Sequence, residues 1–402
     1  MIRIKNDNSV KNINRVFEVI YLVYMCIVVL IAYKDTTMWT YRLVTDQFFT
    51  VLRYFGIALV LFKIILSDKG WNVKKAAAAL IVFAVFIISW KYVGRYYVVE
   101  LAILIIGAHG IDFRKIVKVF FAVSAAATAV TIILAASGVI ENLIYTRGSH
   151  IRISFGSVYP TDFTAHLFFL TACYLWLREL RITYIEIIII AAEAVFCQVF
   201  CQARNNAVCI GILAICVLIF KLVDRKKKDF SLPGPVQYGL VGSMPFLAVL
   251  ITMMSYLYDP GQKLMLMIDN VLSGRISLGK TAFDIYNVTP FGQYIYMRGW
   301  GGSTDISDEL SYFYLDSSYI NILFRFGALV FFVVIGIFVL GSIREKKNRN
   351  WIHMIILGVI ALECFTEHHL IEIAYHPFLL MLFALCEGTG NIKGKRENHN
   401  VQ

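Results

Sequence analysis

Five arginines, Arg147, Arg152, Arg204, Arg275 and Arg298, fall in polar stretches between long apolar runs, with few lysines near them. A guanidinium presents a planar fork of donors that matches two phosphate oxygens at once, which a lysine ammonium does not. Several of them at one membrane face suit a lipid that carries a pyrophosphate, although on composition alone arginines that tie loops to interfacial headgroups are the commoner case. Five further charges, Arg53, Glu100, Glu193, Arg325 and Glu363, lie inside apolar runs, near the same side. A charge at the centre of a span costs roughly 2.5–3.5 kcal/mol on insertion scales, so such residues usually face a wet cavity or a partner. Taken singly, each is equally well explained by snorkelling or structural pairing. Their shared bias predicts a water-filled funnel that opens on one side.

Other polar groups carry weaker signals. Asp305, Asp308 and Glu309 form an acidic cluster that reads better as a solvated loop than as a cation site. His368 and His369, with Glu367 and Glu372, sit in the turn before the last run. Imidazole and carboxylate suit zinc, but an interfacial turn is the favoured reading, and no residue is assigned to a metal. His166 and His376 lie at run ends on the funnel side, where contact with sugar competes with a structural role. Tyr286, Tyr294, Tyr296, Trp300, Tyr312 and Tyr314 fit sugar stacking and an interfacial aromatic belt equally. None of the eight cysteines belongs to a C-x-x-C pair, so neither a disulfide framework nor a zinc site is suggested. No cofactor is expected.

The elements that must position these residues are membrane spans. Hydrophobic residues make up 59% of the 402 and charged residues 16%, and the mean hydropathy is +0.69. A span needs about 20 mostly apolar residues. Twelve runs qualify by position, the fourth being short: Val16–Tyr33, Phe48–Leu66, Ala76–Trp90, Tyr96–Ala108, Val117–Ile140, Thr164–Leu177, Ile182–Val199, Ala207–Val223, Val236–Tyr258, Ser318–Leu340, Trp351–Thr366 and Ile371–Leu385. With the N-terminus inside, 24 of the 38 Lys and Arg residues fall in cytoplasmic segments, 11 in outer ones and three within runs. That asymmetry obeys the positive-inside rule. It places the polar stretch 259–317 outside as one large loop and leaves residues 1–15 and 386–402 as cytoplasmic tails. The net charge of +11 is thereby accounted for without nucleic acid. The first run is too long for a signal-peptide core and lacks a small-residue cleavage site, so it is expected to stay. The chain reads as a single integral membrane domain over 1–402.

Four segments, taken in order, resemble bacterial polysaccharide polymerases of the Wzy type, relatives of the O-antigen ligases. Arg152–Leu167 (RISFGSVYPTDFTAHL) resembles the family's outer stretch running into a span. Cys201–Ala207 (CQARNNA) stands where the family has a short Ser-Arg turn, with Ala203 in place of the serine. Ser273–Lys280 (SGRISLGK) resembles its Gly-Arg motif, and Pro290–Gln293 (PFGQ) the glycine-containing stretch that follows. Leu315–Val330 (LDSSYINILFRFGALV) resembles its helix start of His/Asp-x-x-Tyr, here Asp316 and Tyr319. Ligases typically carry histidine at that start; aspartate looks more like a polymerase.

The resemblance implies an all-α polytopic fold of the GT-C glycosyltransferase kind, about 12 transmembrane helices, with a cleft at the outer face of the bacterial cytoplasmic membrane. It implies metal-independent, inverting transfer between two undecaprenyl-pyrophosphate-linked glycans, with Asp316 as general base and Arg204 and Arg275 on the pyrophosphate. Arg152, Arg298 and Arg325 would place donor or acceptor, and Tyr319 and His166 are further substrate-binding candidates. Partners would be the lipid bilayer, a chain-length regulator and a flippase of the same pathway. A lipid-linked oligosaccharide flippase or transporter remains an alternative, although no two related halves are evident; so does a ligase. A multi-pass acyltransferase would want a histidine constellation, and the histidines here are scattered in sequence.

Overall fold

A computed structural model of the chain describes residues 2–41, 46–66, 71–224, 231–304 and 312–386, with side chains over 13–39, 47–66, 71–223, 231–304 and 312–386. Asp305, Asp308 and Glu309, Arg225 to Lys228, and the tail beyond residue 386 lie outside the described residues.

The chain is mostly helical. Among the described residues, eight helices are long and apolar enough to cross a membrane: α1 (Ile2–Thr36), α2 (Asp46–Leu66), α3 (Val73–Val93), α5 (Phe113–Ala136), α7 (Tyr184–Cys201), α8 (Arg204–Asp224), α9 (Gly234–Tyr256) and α13 (Ala328–Lys347). Large apolar side chains stand exposed along them, Ile65, Ile188 and Phe246 among them, as a lipid-facing surface requires. Their ends carry local stop and start signals. Asn72 and Asp112 cap α3 and α5 through their side chains, and Thr183 with Glu186 closes a capping box on α7.

The remaining four apolar runs take other forms. α4 (Tyr97–Gly107) is an 11-residue helix, buried from Val98 to Gly107, and α14 (Trp351–Glu363) has 13 residues. α6 (Pro160–Arg178) is a largely buried 19-residue helix with Pro160 in its first turn. The run Ile371–Leu385 forms no α-helix. It is built of turns and a 3-10 stretch at Phe378–Leu382, because Pro377 breaks the backbone ladder and the chain is tied sideways. Phe113 N donates to Leu385 O at 2.7 Å and Leu385 N to Ile111 O at 2.7 Å.

The run that begins at Ser318 is also broken. α12 (Ser318–Asn321) passes into a single π turn, Ile322–Phe326, and Gly327 at φ 91° then starts α13 afresh. The PFGQ stretch runs against this break: Gln293 N donates to Arg325 O at 3.0 Å and Leu329 N to Pro290 O at 3.0 Å. A Cβ on Gly292, itself at φ 87°, would collide with the Arg325 carbonyl. Close backbone approach is therefore what demands glycine there.

One departure from an all-helical reading stands before α6. β1 (Ile144–Arg147) and β2 (His150–Ile153) pair antiparallel, with Tyr145 opposite Arg152 and Arg147 opposite His150. Two short helices, α10 (Lys263–Val271) and α11 (Arg275–Ile285), occupy the first part of the polar loop.

Candidate active site

The hairpin, the starts of α6, α8 and α11, and the turn after α14 come together around a cavity of about 1420 Å³. Arg147, Arg152, Arg204, Arg275, Asp316 and Arg325 all line it. Each has a local reason for its position. Arg275 follows Ser273 and Gly274, both left-handed, which swing the chain into α11. Asp269 fixes that start by accepting from Ile276 N at 2.9 Å and Ser277 N at 3.1 Å. Arg204 opens α8 straight after Gln202, another left-handed residue. Asp316 is held by the residues behind it: Ser318 N donates to Cys364 O at 3.0 Å and to Glu367 O at 2.9 Å.

The arginines meet through shared partners. Arg204 NH2 donates to Ser273 Oγ at 3.0 Å, and Arg275 NH1 to Ser273 O at 3.1 Å. Arg152 is buried; its Nε donates to Cys201 O at 3.0 Å and its NH1 to Tyr159 Oη at 3.0 Å. Arg152 thus ties the hairpin to the turn that carries Arg204. Burial, then the charges of Arg152, Arg204 and Arg275, hold Arg147 below the usual arginine range. A concentration of positive charge that perturbs one of its own members is a ready site for a polyanion.

Asp316 is the carboxylate among them. Arg275 Nε lies 3.6 Å from its Oδ2, and Tyr312 Oη donates to the same oxygen at 3.4 Å. Burial pushes Asp316 above the ordinary carboxylate value, against the pull of Arg275, His369 and Tyr312. Burial would lower Arg275, but Asp316 and Glu367 outweigh it and keep the guanidinium charged. Glu367, beside both, is pushed up to about 8 by burial, with Arg275 and His369 opposing. This mixture of a poised carboxylate and fixed cations can take a proton and stabilise a leaving phosphate.

Not every expected residue faces the cavity. Tyr319 is fully buried, its hydroxyl donating to Ala361 O at 2.7 Å. His166 is buried in a stack between Tyr33 and Tyr375, ring centroids 4.2 and 4.4 Å away, with Nε2 at 3.0 Å from Thr36 Oγ1. Arg298 is exposed and outside the cavity lining, its backbone paired with Phe313 at 2.8 and 3.1 Å. The charges within runs resolve as well. Arg53 pairs with Glu100 at 2.6 Å, Glu193 accepts from Thr171 at 2.8 Å, and Arg325 reaches the cavity from the π turn.

Three groups beyond the chosen site candidates belong here. Arg147 completes the arginine cluster. Asp162 lies two residues into α6, within the quoted stretch before His166. The Glu367–His368–His369 turn is buried in the cavity wall rather than spread along an interface. His369 Nδ1 lies 2.8 Å from Glu363 Oε1 and its Nε2 3.6 Å from Asp162 Oδ1, and these two neighbouring carboxylates outweigh burial and raise it well above the ordinary histidine value. Burial drives neighbouring His368 down to about 3. The density of titratable residues in TEHHLIE was the available signal; its partners, 200 residues earlier in α6, were not visible.

No family model, no curated protein and no solved structure matches the chain.

Proposed function

We propose that the chain is a polysaccharide polymerase of the Wzy kind, joining undecaprenyl-pyrophosphate-linked repeat units at the outer face of a bacterial cytoplasmic membrane. The observation that carries this reading is the gathering of Arg147, Arg152, Arg204 and Arg275 around one cavity with Asp316 3.6 Å from Arg275. On this reading the basic segments lie in the cytoplasm with both termini, the cavity opens outward, and the shorter elements complete about twelve passages of a GT-C-like fold.

The step conserves atoms and charge. A sugar hydroxyl of the acceptor attacks the anomeric carbon of the donor glycan and gives its proton to Asp316. The bond from that carbon to the phosphate oxygen breaks with inversion, and its electron pair leaves with undecaprenyl pyrophosphate. Arg204 and Arg275 stabilise the charge that grows on the leaving group, a type of contact worth roughly 10²–10³ in rate per donor. Arg147 and Arg152 hold the donor pyrophosphate, and Arg325, also in the cavity lining, helps place donor or acceptor. Guanidinium groups supply the charge in this step, and no metal ion takes part in it.

Purified protein in liposomes, given undecaprenyl-pyrophosphate-linked repeat units from its own source, tests the reading. A ladder of products is expected. A single product formed only with a foreign acceptor would make it a ligase. Movement of the lipid-linked sugar between leaflets with no product would replace the enzyme with a flippase.

A further inference from the structure

We propose that Asp162, His368 and His369 form a binding site for a divalent cation of the zinc class in the wall of the cavity, beside the residues assigned to glycosyl transfer. One ligand atom from each lies within 4.8 Å of the others. His369 Nε2 stands 3.6 Å from Asp162 Oδ1, and the two histidine rings are 4.5 Å apart. Zinc bonds of about 2.0–2.2 Å in tetrahedral array need ligand atoms roughly 3.3 Å apart, so small side-chain shifts close the site.

Two further features point to a ligand. His369 is wholly buried, yet its Nε2 makes no hydrogen bond, and neither does Nδ1 of His368. The other ring nitrogen of each histidine is held from outside, and so is the Asp162 oxygen that faces His369. Glu363 takes His369 Nδ1 at 2.8 Å, Tyr314 Oη meets His368 Nε2 at 3.3 Å, and Tyr375 donates to Asp162 Oδ1 at 2.8 Å. A carboxylate on the far nitrogen of a histidine is the arrangement that fixes ring orientation at a metal centre. Two imidazoles and one carboxylate favour zinc over magnesium or calcium, which prefer oxygen alone.

A cation here would join the start of α6 to the 366–372 turn, whose Thr366 carbonyl accepts from Arg275 Nε at 3.4 Å. Its role is to order that wall. Asp162 and His368 line the cavity, so the coordination position left over is within reach of water or a substrate oxygen. The inference stands independently of the polymerase reading, because cation binding is read without turnover.

The test uses the full chain in detergent, stripped of metal and titrated with zinc, with metal content and thermal midpoint as readouts. One zinc per chain and a raised midpoint are expected. At least tenfold weaker binding should follow from Asp162→Asn and from the milder His368→Gln, each checked for folding by its midpoint without zinc. Arg275→Ala should bind zinc like the native chain. A native chain that takes up no zinc, or folded variants that bind as tightly as native, would overturn the site.

Discussion

His353 and His369 are both buried histidines paired to a buried glutamate, at opposite ends of the helical bundle, and they are completed differently. His353 Nδ1 lies 2.9 Å from Glu345 Oε2, its Nε2 3.1 Å from Trp176 O, and its ring is stacked on Trp176 at 3.8 Å. Asn350 donates to the same Glu345 oxygen at 2.8 Å. Neither His353 nor Glu345 lines the cavity. His369 has the same bond to Glu363, but its second nitrogen makes no hydrogen bond and points at Asp162 in the wall of the cavity. The first cluster locks helix ends together. The second has bonding capacity left over, next to four arginines. A buried polar group therefore reads as structural when all its atoms are engaged and as a candidate for function when one is left without a hydrogen bond.

Breaking the cavity side should have the largest effect. Asp316→Asn removes the proton acceptor and should lower polymer formation about 10²–10⁴-fold, and Arg275→Ala about 10²–10³-fold, measured as product per folded molecule. On the locked side, His353→Leu leaves the Glu345 carboxylate without its ring partner. It should cost about 1–3 kcal/mol of stability, read as a lowered thermal midpoint, while turnover per folded molecule is retained. Gly292→Ala tests the seam beneath Arg325. Strain at a positive φ and a clash with the Arg325 carbonyl should cost at least about 1 kcal/mol, again seen in the midpoint.

A smaller effect sharpens the cavity side. Asp316 must be ionised to accept a proton, and burial raises its pKa, so activity should fall as pH drops through a value above the ordinary carboxylate range. Tyr312, Arg275 and His369 hold that value down, while Asp162 raises it. Tyr312→Phe removes one hydrogen bond to the carboxylate, so the acid limb of the pH profile should move to higher pH. Arg298→Ala, exposed and off the cavity, should change polymer formation by no more than about twofold.

Much of this was legible in sequence because membrane spans announce themselves. The eight long helices coincide with apolar runs, and of the five charges within runs Arg53, Glu100 and Arg325 line the cavity while Glu193 and Glu363 do not. Arg204, Arg275 and Asp316 entered the reading through the resemblance of their short segments to family motifs, and the structure brings all three to one cavity. What stayed hidden depended on contacts far apart in the chain. Tyr319 was a candidate because it completes the family-like Asp-x-x-Tyr, yet its buried hydroxyl donates to Ala361 O. The last apolar run satisfied a composition rule, but Pro377 and its ties to Ile111 and Phe113 deny it an α-helix. Asp162 and His369 could be joined only once α6 and the 366–372 turn were packed together.

The most direct test of the central claim counts undecaprenyl pyrophosphate released against glycosidic bonds formed, in liposomes containing native, Asp316→Asn or Arg275→Ala protein. The account predicts one pyrophosphate-lipid released for each bond with native protein and neither product with the folded variants. Undiminished release and bond formation by either folded variant would contradict it, as would translocation of the lipid-linked sugar by native protein with no release at all.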